Sequence, residues 1–250
     1  MISNVQVTPY YESLCDPVAM TLSETISRNL TRVRERINAA CERSARDPKE
    51  VRLVAVTKYA EPDWVQALYD LGHRDFGESR PQQLGPRTVQ FPQDIRWHMI
   101  GHLQRNKVRP VLETGAVVHS IDSPQLLERV ERIANEMGVT PRVLFEVNVS
   151  GEESKHGFDA QVFRKWIALG VSCPHVELAG LMTMAPESID PEAVRPVFRE
   201  LRNLLGDLHE SVPGIPIRNE LSMGMSGDFE IAIEEGATMI RLGSLLFEGL

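Results

Sequence analysis

Short apolar runs alternate with amphipathic stretches along most of this chain. The runs predict eight strands, at 51–57, 75–78, 96–101, 117–122, 142–148, 176–185, 220–225 and 239–243. The stretches between them carry apolar residues at helical spacing and predict helices at 62–71, 81–89, 104–112, 124–137, 159–169, 191–208 and 228–235. A further amphipathic helix is predicted over about 21–43, where Thr21 and Glu24 form a capping-box pattern.

The regular order of strand followed by helix predicts parallel strands joined by crossover helices. Eight strands over about 200 residues are typical of a closed (β/α)8 barrel, here an α/β fold with an extra N-terminal helix. An open doubly wound sheet is the alternative, but no GxGxxG turn follows an early strand. No change in composition marks a second domain. We therefore expect one barrel domain over 21–250, preceded by a flexible extension at 1–20.

Charge and cysteine content exclude several classes of protein. With 35 acidic against 27 basic residues, the formal net charge is -8, which argues against nonspecific binding to nucleic acid or anionic membrane. The three cysteines, Cys15, Cys41 and Cys173, form neither a disulfide framework nor a CxxC metal pair.

No run approaches the roughly 18 apolar residues of a membrane-spanning helix, and 1–20 lacks a signal-peptide pattern. We expect a cytoplasmic protein.

Lys58 is the first candidate for covalent chemistry. It ends the apolar run Leu53–Lys58, where the first strand reaches the mouth of the barrel and where such barrels carry their active sites. Val54, Val56 and Lys58 share one strand face, so an inward Lys58 would have a partly desolvated ammonium group. Desolvation lowers the pKa of a lysine, and a neutral amine attacks aldehydes to form a Schiff base. The competing interpretation is an ordinary surface lysine.

Two loops near the end of the sequence favour phosphate binding. Leu221–Ser226 and Ile240–Ser244 follow the seventh and eighth predicted strands, the loops that commonly hold phosphate in barrels. Ser222, Met223, Gly224, Gly243 and Ser244 are therefore candidate cofactor contacts. The alternative is that the glycines merely turn the chain.

Other polar residues at strand ends give a less specific signal. Arg241 shares a strand face with Gly243, so it either donates to a bound ring nitrogen or forms a structural salt bridge. Asn148 ends the fifth predicted strand and is a further candidate contact. His98 either stacks on a ligand or is a satisfied core histidine. No His, Asp or Glu grouping shows convincing metal-ligand spacing, so no metal site is predicted.

With these residues taken together, the chain resembles the pyridoxal-phosphate homeostasis proteins, which are single-domain relatives of the barrel of alanine racemase. The resemblance spans roughly residues 22–247. The runs that carry it are Leu53–Lys58, Phe76–Glu78, Trp97–Lys107, Val147–Gly157, Gly180–Met184 and Leu221–Ser226. Ser79 departs from the pattern, since the family usually has Asn at that position.

The resemblance implies a binding site for pyridoxal 5'-phosphate (PLP). Lys58 would hold PLP as a Schiff base, Ser222, Gly243 and Ser244 would contact its phosphate, and Arg241 would face the pyridine nitrogen. Members of the family have no established catalysis and are linked to the supply of PLP and the balance of amino acids. The resemblance thus implies a carrier that stores PLP and delivers it to PLP-dependent enzymes. We expect a monomer rather than a dimer.

Two enzymatic functions remain as alternatives. A PLP-dependent amino-acid racemase needs a proton donor or acceptor on each face of the α-carbon, and two-domain racemases supply one of these from a second domain. Only six residues follow Ser244 here. A cofactor-free Schiff-base aldolase would use Lys58 alone.

Overall fold

The fold is known from a computed structural model, which describes residues 20–152, 156–168, 172–186, 188–212 and 214–250. The extension expected at 1–20 lies outside these residues except for Met20. Within them, the strands are β1 (Arg52–Val56), β2 (Asp75–Glu78), β3 (Arg96–Met99), β4 (Val117–Ile121), β5 (Arg142–Asn148), β6 (Phe158–Asp159), β7 (Glu177–Met182), β8 (Ile217–Ser222) and β9 (Met239–Leu242).

The sheet closes into a barrel of eight parallel strands. Its order is β4-β3-β2-β1-β9-β8-β7-β5, and β4 also pairs with β5, while β6 only adds to the edge of β5 beyond the ring. Each barrel strand matches one of the eight predicted apolar runs. The predicted (β/α)8 barrel is confirmed, and the open sheet is excluded because β4 and β5, the two end strands of this order, pair directly.

The helices are α1 (Leu22–Arg43), α2 (Pro62–Asp70), α3 (Pro81–Gln90), α4 (Val108–Leu112), α5 (Pro124–Met137), α6 (Ala160–Ala168), α7 (Arg195–Ser211) and α8 (Phe229–Glu234). Six of them begin within one residue of the predicted start, whereas α4 and α7 begin four residues later, because a 3-10 turn precedes each of them. Proline occupies the first turn of α2, α3 and α5, where its missing N–H has no helical acceptor to lose. No helix in the described ranges is both long and apolar enough to cross a membrane.

The extra helix α1 starts at the predicted capping box. The Thr21 hydroxyl accepts from the Glu24 amide at 3.3 Å, and the Glu24 carboxylate accepts from the Thr21 amide at 2.8 Å. Its buried face packs over α2 and α8. Asn29 on this face donates to the carbonyl oxygens of Leu246 and Glu248 at 3.3 and 2.9 Å. Helix α1 therefore fixes the C-terminal segment against the barrel.

Strands β7 and β8 differ most from the predictions, and β8 ends at Ser222 rather than at 225. Strand β8 begins at Ile217, three residues before the predicted start, because its first half is polar and partly exposed and gives no apolar run. Strand β7 ends at Met182 rather than at 185, where the chain leaves the sheet. The register of β7 also shifts at Gly180, against both of its neighbours.

Candidate functional site

A cavity of about 820 Å³ opens at the C-terminal ends of the barrel strands, the end where such barrels carry their sites. Strands β1 and β9 lie side by side in register, with Val54 opposite Arg241. The residues that follow these two strands therefore meet at one part of the rim. Of the predicted site residues, the ones that line the cavity are Lys58, Arg241, Gly243 and Ser244.

Lys58 lies in a turn just after β1, closed by a hydrogen bond from the Ala60 amide to the Thr57 carbonyl at 2.9 Å. Arg87 of α3 donates from Nη2 to the carbonyl oxygens of Ala60 and Thr57 at 2.7 and 3.2 Å. Its Nε lies 2.7 Å from the buried carboxyl group of Glu78, which also accepts from the Thr57 hydroxyl at 2.7 Å. The backbone on both sides of Lys58 is therefore fixed.

The side chain of Lys58 is less enclosed than the sequence predicted. We expected an inward amine, partly desolvated by the barrel. The structure instead has Lys58 exposed at the cavity rim, with Nζ 5.1 Å from the centre of the Tyr59 ring. Tyr59 is itself 72% exposed. The amine therefore reaches the cavity without being desolvated by the protein around it.

Three backbone amides without an acceptor line the cavity next to Lys58. Across the described ranges, no hydrogen bond is found from the N–H groups of Ser226, Gly227 or Ser244. Ser226 and Gly227 follow β8, and Ser244 follows β9. Unpaired amides and hydroxyls in these two loops are the donors that bind phosphate in barrels. An added Cβ on the neighbouring Gly243 would lie 3.3 Å from the Val56 carbonyl, so this loop packs closely on the end of β1.

Three predicted contacts at the end of β8 and just after it are not among the residues that line the cavity. Ser222 and Met223 are fully buried and do not line it. Gly224 has φ +95°, and a Cβ there would lie 2.6 Å from Cβ of Ala232, so it permits the approach of α8. The geometry therefore does not support side-chain contacts from Ser222 or Met223 to a phosphate. The sequence analysis missed Ser226, four residues further along the same loop.

Arg241 provides a cation at the floor of the cavity. It is 4% exposed and donates from Nη1 to the Ser222 hydroxyl at 2.7 Å and from Nη2 to the Thr183 carbonyl at 3.0 Å. Burial lowers the pKa of Arg241 to about 10, so the guanidinium remains protonated at neutral pH. The predicted orientation into the barrel is thus observed, with neutral acceptors fixing the side chain.

A row of hydrogen bonds continues from Arg241 through the barrel interior. The Ser222 oxygen lies 2.8 Å from Nδ1 of His119, whose Nε2 lies 2.9 Å from Nδ1 of His98. The Nε2 atom of His98 is 3.2 Å from the Asp75 carboxylate. The row joins β9, β8, β4, β3 and β2, and its five members, Arg241 to Asp75, are all buried.

The ionised carboxylate of Asp75 determines the donor-to-acceptor direction of the hydrogen bonds in this row. Burial acts to raise the pKa of Asp75, but hydrogen bonds from Arg96 and His98 outweigh it and lower the pKa. Burial lowers the pKa of His98 and, more strongly, that of His119, so both imidazoles are neutral with one donor and one acceptor each. His98 therefore donates to Asp75 and accepts from His119, which in turn accepts the hydroxyl proton of the serine.

His98 and Asn148 have structural contacts instead of cavity contacts. His98 is 1% exposed and belongs to the buried row, as expected of a satisfied core histidine. Asn148 organises the loop after β5, since its Oδ1 accepts from the Gly151 amide at 3.0 Å and from the Ser150 hydroxyl at 3.2 Å. Its Nδ2 donates to the Glu152 carbonyl at 2.8 Å. Neither side chain lines the cavity.

Glu146 on β5 lines the cavity and was missed by the sequence analysis. The side chain is 4% exposed. Burial raises the pKa of Glu146 to about 7, the nearby Asp122 carboxylate adds to the rise, and Arg241 opposes it. The signal was available in the sequence, because Glu146 is the one charged residue within the apolar run 143–147.

The raised pKa predicts a pH-dependent effect of Glu146→Gln on the cofactor-free protein. Glu146 contributes most stability below its usual pKa of 4.5 and loses it as the pH rises through about 7. At about 1.4 kcal/mol per pKa unit, the ionised carboxylate destabilises the fold by roughly 3 kcal/mol at alkaline pH. We therefore expect Glu146→Gln to exceed the wild type in stability at pH 8 and to match it near pH 5, measured by denaturant unfolding. Glu113→Gln, at an exposed position, should show no such dependence; an equal difference at both pH values would contradict the assignment.

Comparison with known families gives a consistent result over most of the chain. The family model described as alanine racemase, N-terminal domain, matches residues 28–250. A pyridoxal phosphate homeostasis protein of Aquifex aeolicus is 40% identical over 220 residues, which cover 87% of this chain and 95% of that protein. A protein of the same name from Homo sapiens is 35% identical over 231 residues, 87% of this chain and 84% of that one.

Solved structures agree with this result. PipY of Synechococcus elongatus, in a structure with PLP bound, aligns with a TM-score of 0.77 at 32% identity and covers 89% of this chain and 99% of its own. An unknown protein of Bifidobacterium adolescentis aligns with a TM-score of 0.85 at 35% identity and covers 93% and 98% of the two chains. Alanine racemase of Corynebacterium glutamicum aligns with a TM-score of 0.69 at 14% identity over 91% of this chain and 63% of its own, which shows a shared fold alone.

Proposed function

This chain belongs to the pyridoxal phosphate homeostasis proteins, and we propose that it binds PLP in the cavity at the barrel mouth, as a Schiff base with Lys58, and acts in PLP homeostasis. One observation carries the proposal: a primary amine, a buried arginine and three unpaired amides line the same cavity. These groups match the aldehyde, the pyridine nitrogen and the phosphate of PLP respectively. The PLP-bound structure of PipY supports the choice of PLP as the ligand.

Each group has a distinct role in binding. The amides and hydroxyls of Ser226 and Ser244, with the amide of Gly227, would hold the phosphate. Arg241, fixed by Ser222 and Thr183, would donate to the pyridine nitrogen and keep it unprotonated, because the guanidinium does not give up its proton at neutral pH. PLP supplies an aldehyde that condenses with an amine, releasing water. The fixed turn around Lys58 presents that amine to the cavity.

Reversibility of the same bond supports storage and delivery. A free amine entering the open cavity would replace the Lys58 amine on the aldehyde carbon, so that Lys58 would recover its amine and PLP would leave bonded to the incoming amine. The exposed rim leaves Lys58 accessible to such amines. We therefore assign the protein the role of a carrier, with PLP-dependent enzymes as the recipients of its cargo.

Borohydride trapping tests this function directly. The protein is titrated with PLP, reduced with borohydride and digested, and the modified peptide is identified by mass spectrometry. We expect one adduct, on Lys58, and its loss when a competing amine is added before reduction. An adduct spread over many lysines, or on a different single lysine, would overturn the proposal.

A pair of serine variants tests which hydroxyl serves the phosphate. Ser226→Ala should weaken binding of PLP by about tenfold, since a hydrogen bond to a charged group contributes roughly 1.5 kcal/mol, and should leave thermal stability unchanged. Ser222→Ala should instead lower stability by about 2 kcal/mol, because it leaves His119 and Arg241 with unpaired buried groups. Pyridoxal without phosphate is the control ligand, and its binding should not respond to Ser226→Ala. The reverse assignment would be indicated if only Ser222→Ala weakened phosphate-dependent binding.

One observation favours racemisation as a second candidate. Glu146 gives the cavity a buried acid–base group with a pKa near neutrality in addition to the Lys58 amine. Two such groups are the minimum for moving a proton on both faces of an α-carbon. Formation of D-alanine from L-alanine by PLP-loaded protein, abolished in both Lys58→Ala and Glu146→Gln, would establish it.

A further inference from the structure

Two imidazoles and a carboxylate meet on the side of the cavity opposite the β1–β9 pair. His102 follows β3, Asp122 follows β4 and His156 follows β5, three strands that are adjacent in the barrel. One ligand atom from each residue lies within 4.8 Å of the other two. Nδ1 of His102 is 3.0 Å from Oδ2 of Asp122, and the rings of His102 and His156 stack with their centres 4.3 Å apart. No metal site was predicted here from the sequence, because Asp122 is 20 positions after His102 and His156 is 34 positions after Asp122.

A second observation points to a cation at the same place. Glu146 lies on β5 and lines the cavity together with His102 and His156. Its side chain is 4% exposed, and no hydrogen bond or ion pair to its carboxyl group is found within the described part of the chain. Because Glu146 lines the cavity, its carboxyl group is open to a cation that enters there, and Arg241 is the one positive charge that acts on the pKa of Glu146 among the described residues.

We propose that His102, Asp122 and His156 form a binding site for a divalent transition-metal ion of the zinc class. Two imidazoles and one carboxylate are the donor set of zinc and non-haem iron sites that keep open coordination positions. The open positions here would face the cavity, next to Glu146. An ion bound there would be available to a carboxylate or amine of any small molecule that enters.

The observed ring arrangement requires one local adjustment. The two stacked rings are nearly parallel, with 18° between their planes, so their lone pairs do not converge on one point. One ring must turn about χ2, a torsion with a broad and shallow profile. The side chain of His102 is 42% exposed and His156 is also exposed, so no core packing opposes the rotation.

Zinc titration of the cofactor-free protein tests this site. The full chain without an affinity tag is titrated with Zn²⁺ by calorimetry at pH 7.5, with Mg²⁺ as the comparison ion. We expect one bound Zn²⁺ per chain and no Mg²⁺ binding, because imidazole ligands favour zinc over magnesium. His102→Ala, Asp122→Asn and His156→Ala should each weaken Zn²⁺ binding by tenfold or more. Cofactor is absent from the titration, so the outcome is independent of the proposed PLP binding.

A second histidine–carboxylate pair provides the matched control. Nδ1 of His175 lies 2.6 Å from the Glu131 carboxylate, and the side chain of His175 is 40% exposed. No third potential metal ligand lies beside this pair in the described residues. His175→Ala should leave Zn²⁺ binding unchanged. Unfolding midpoints of all variants should match the wild type, because the three proposed ligands lie at the rim. Absence of Zn²⁺ binding, or binding of equal strength in the three ligand variants, would overturn the proposal.

Discussion

Gly180→Ala is expected to destabilise the protein by about 4 kcal/mol or more, at the upper end of single substitutions. Gly180 lies in the middle of β7, between β5 and β8, with φ +154°. A Cβ at this position would lie 1.9 Å from the carbonyl oxygen of Glu220 and 2.7 Å from its carbonyl carbon. Both contacts are to backbone, so relief requires β7 and β8 to separate.

Thermal unfolding measures this effect. For a protein of this size, 1 kcal/mol shifts Tm by about 2–4 °C, so a fall of about 10 °C or more is expected, or failure to fold. Gly206→Ala is the control, since Gly206 lies in the exposed middle of α7 with nothing within 4 Å of an added Cβ. It should raise the stability slightly, by up to about 1 kcal/mol, through helix propensity. Similar midpoints for the two variants would contradict the strand clash.

Lys58→Ala is expected to abolish the covalent attachment of PLP, because no other lysine of the described residues lines the cavity. The absorbance change that accompanies Schiff-base formation should disappear, and the intact mass after borohydride reduction should equal that of the untreated protein. Affinity for PLP should fall by at least about tenfold, leaving the phosphate and Arg241 contacts. Unfolding should be unaffected, since the Lys58 side chain is exposed.

Two further lysine variants separate the causes of this loss. Lys58→Arg keeps the positive charge but cannot form a Schiff base, so it should bind PLP more tightly than Lys58→Ala and still give no adduct. Lys49→Ala removes an exposed lysine next to β1, on the side away from the cavity, and should behave as the wild type. Adduct formation in Lys58→Ala at the wild-type yield would show that another lysine is the attachment point.

The barrel, and the meeting of the residues that follow β1 and β9, could be predicted from the sequence for one physical reason. Closure of eight parallel strands makes the first and last strands neighbours, so Lys58 and the Gly243–Ser244 loop had to meet once the fold class was known. These predictions depend on strand order alone. They needed no knowledge of side-chain direction within a loop.

Predictions that depended on side-chain direction were less successful. Ser222 is the last residue of β8 and Ser226 lies four residues further along, in the loop. Only the position of this strand end decides which hydroxyl is buried and which lines the cavity. His98 presented the same difficulty, because its partners His119 and Asp75 come from neighbouring strands whose register the sequence does not reveal. The approach of His102 to Asp122 and His156 could not be predicted either, because it depends on the same relations between neighbouring strands.

Every donor between Arg241 and Asp75 points the same way, from the mouth of the barrel to its base. Moving the proton of any one imidazole to its other ring nitrogen would set two hydrogens or two lone pairs face to face, so the donors can reverse only together. A permanent cation anchors one terminal, and a carboxylate ion-paired with Arg96 anchors the other. The row of hydrogen bonds therefore gives the barrel interior an aligned dipole. A substitution near Asp75, at the base of the barrel, would change the electrostatic potential at the floor of the cavity.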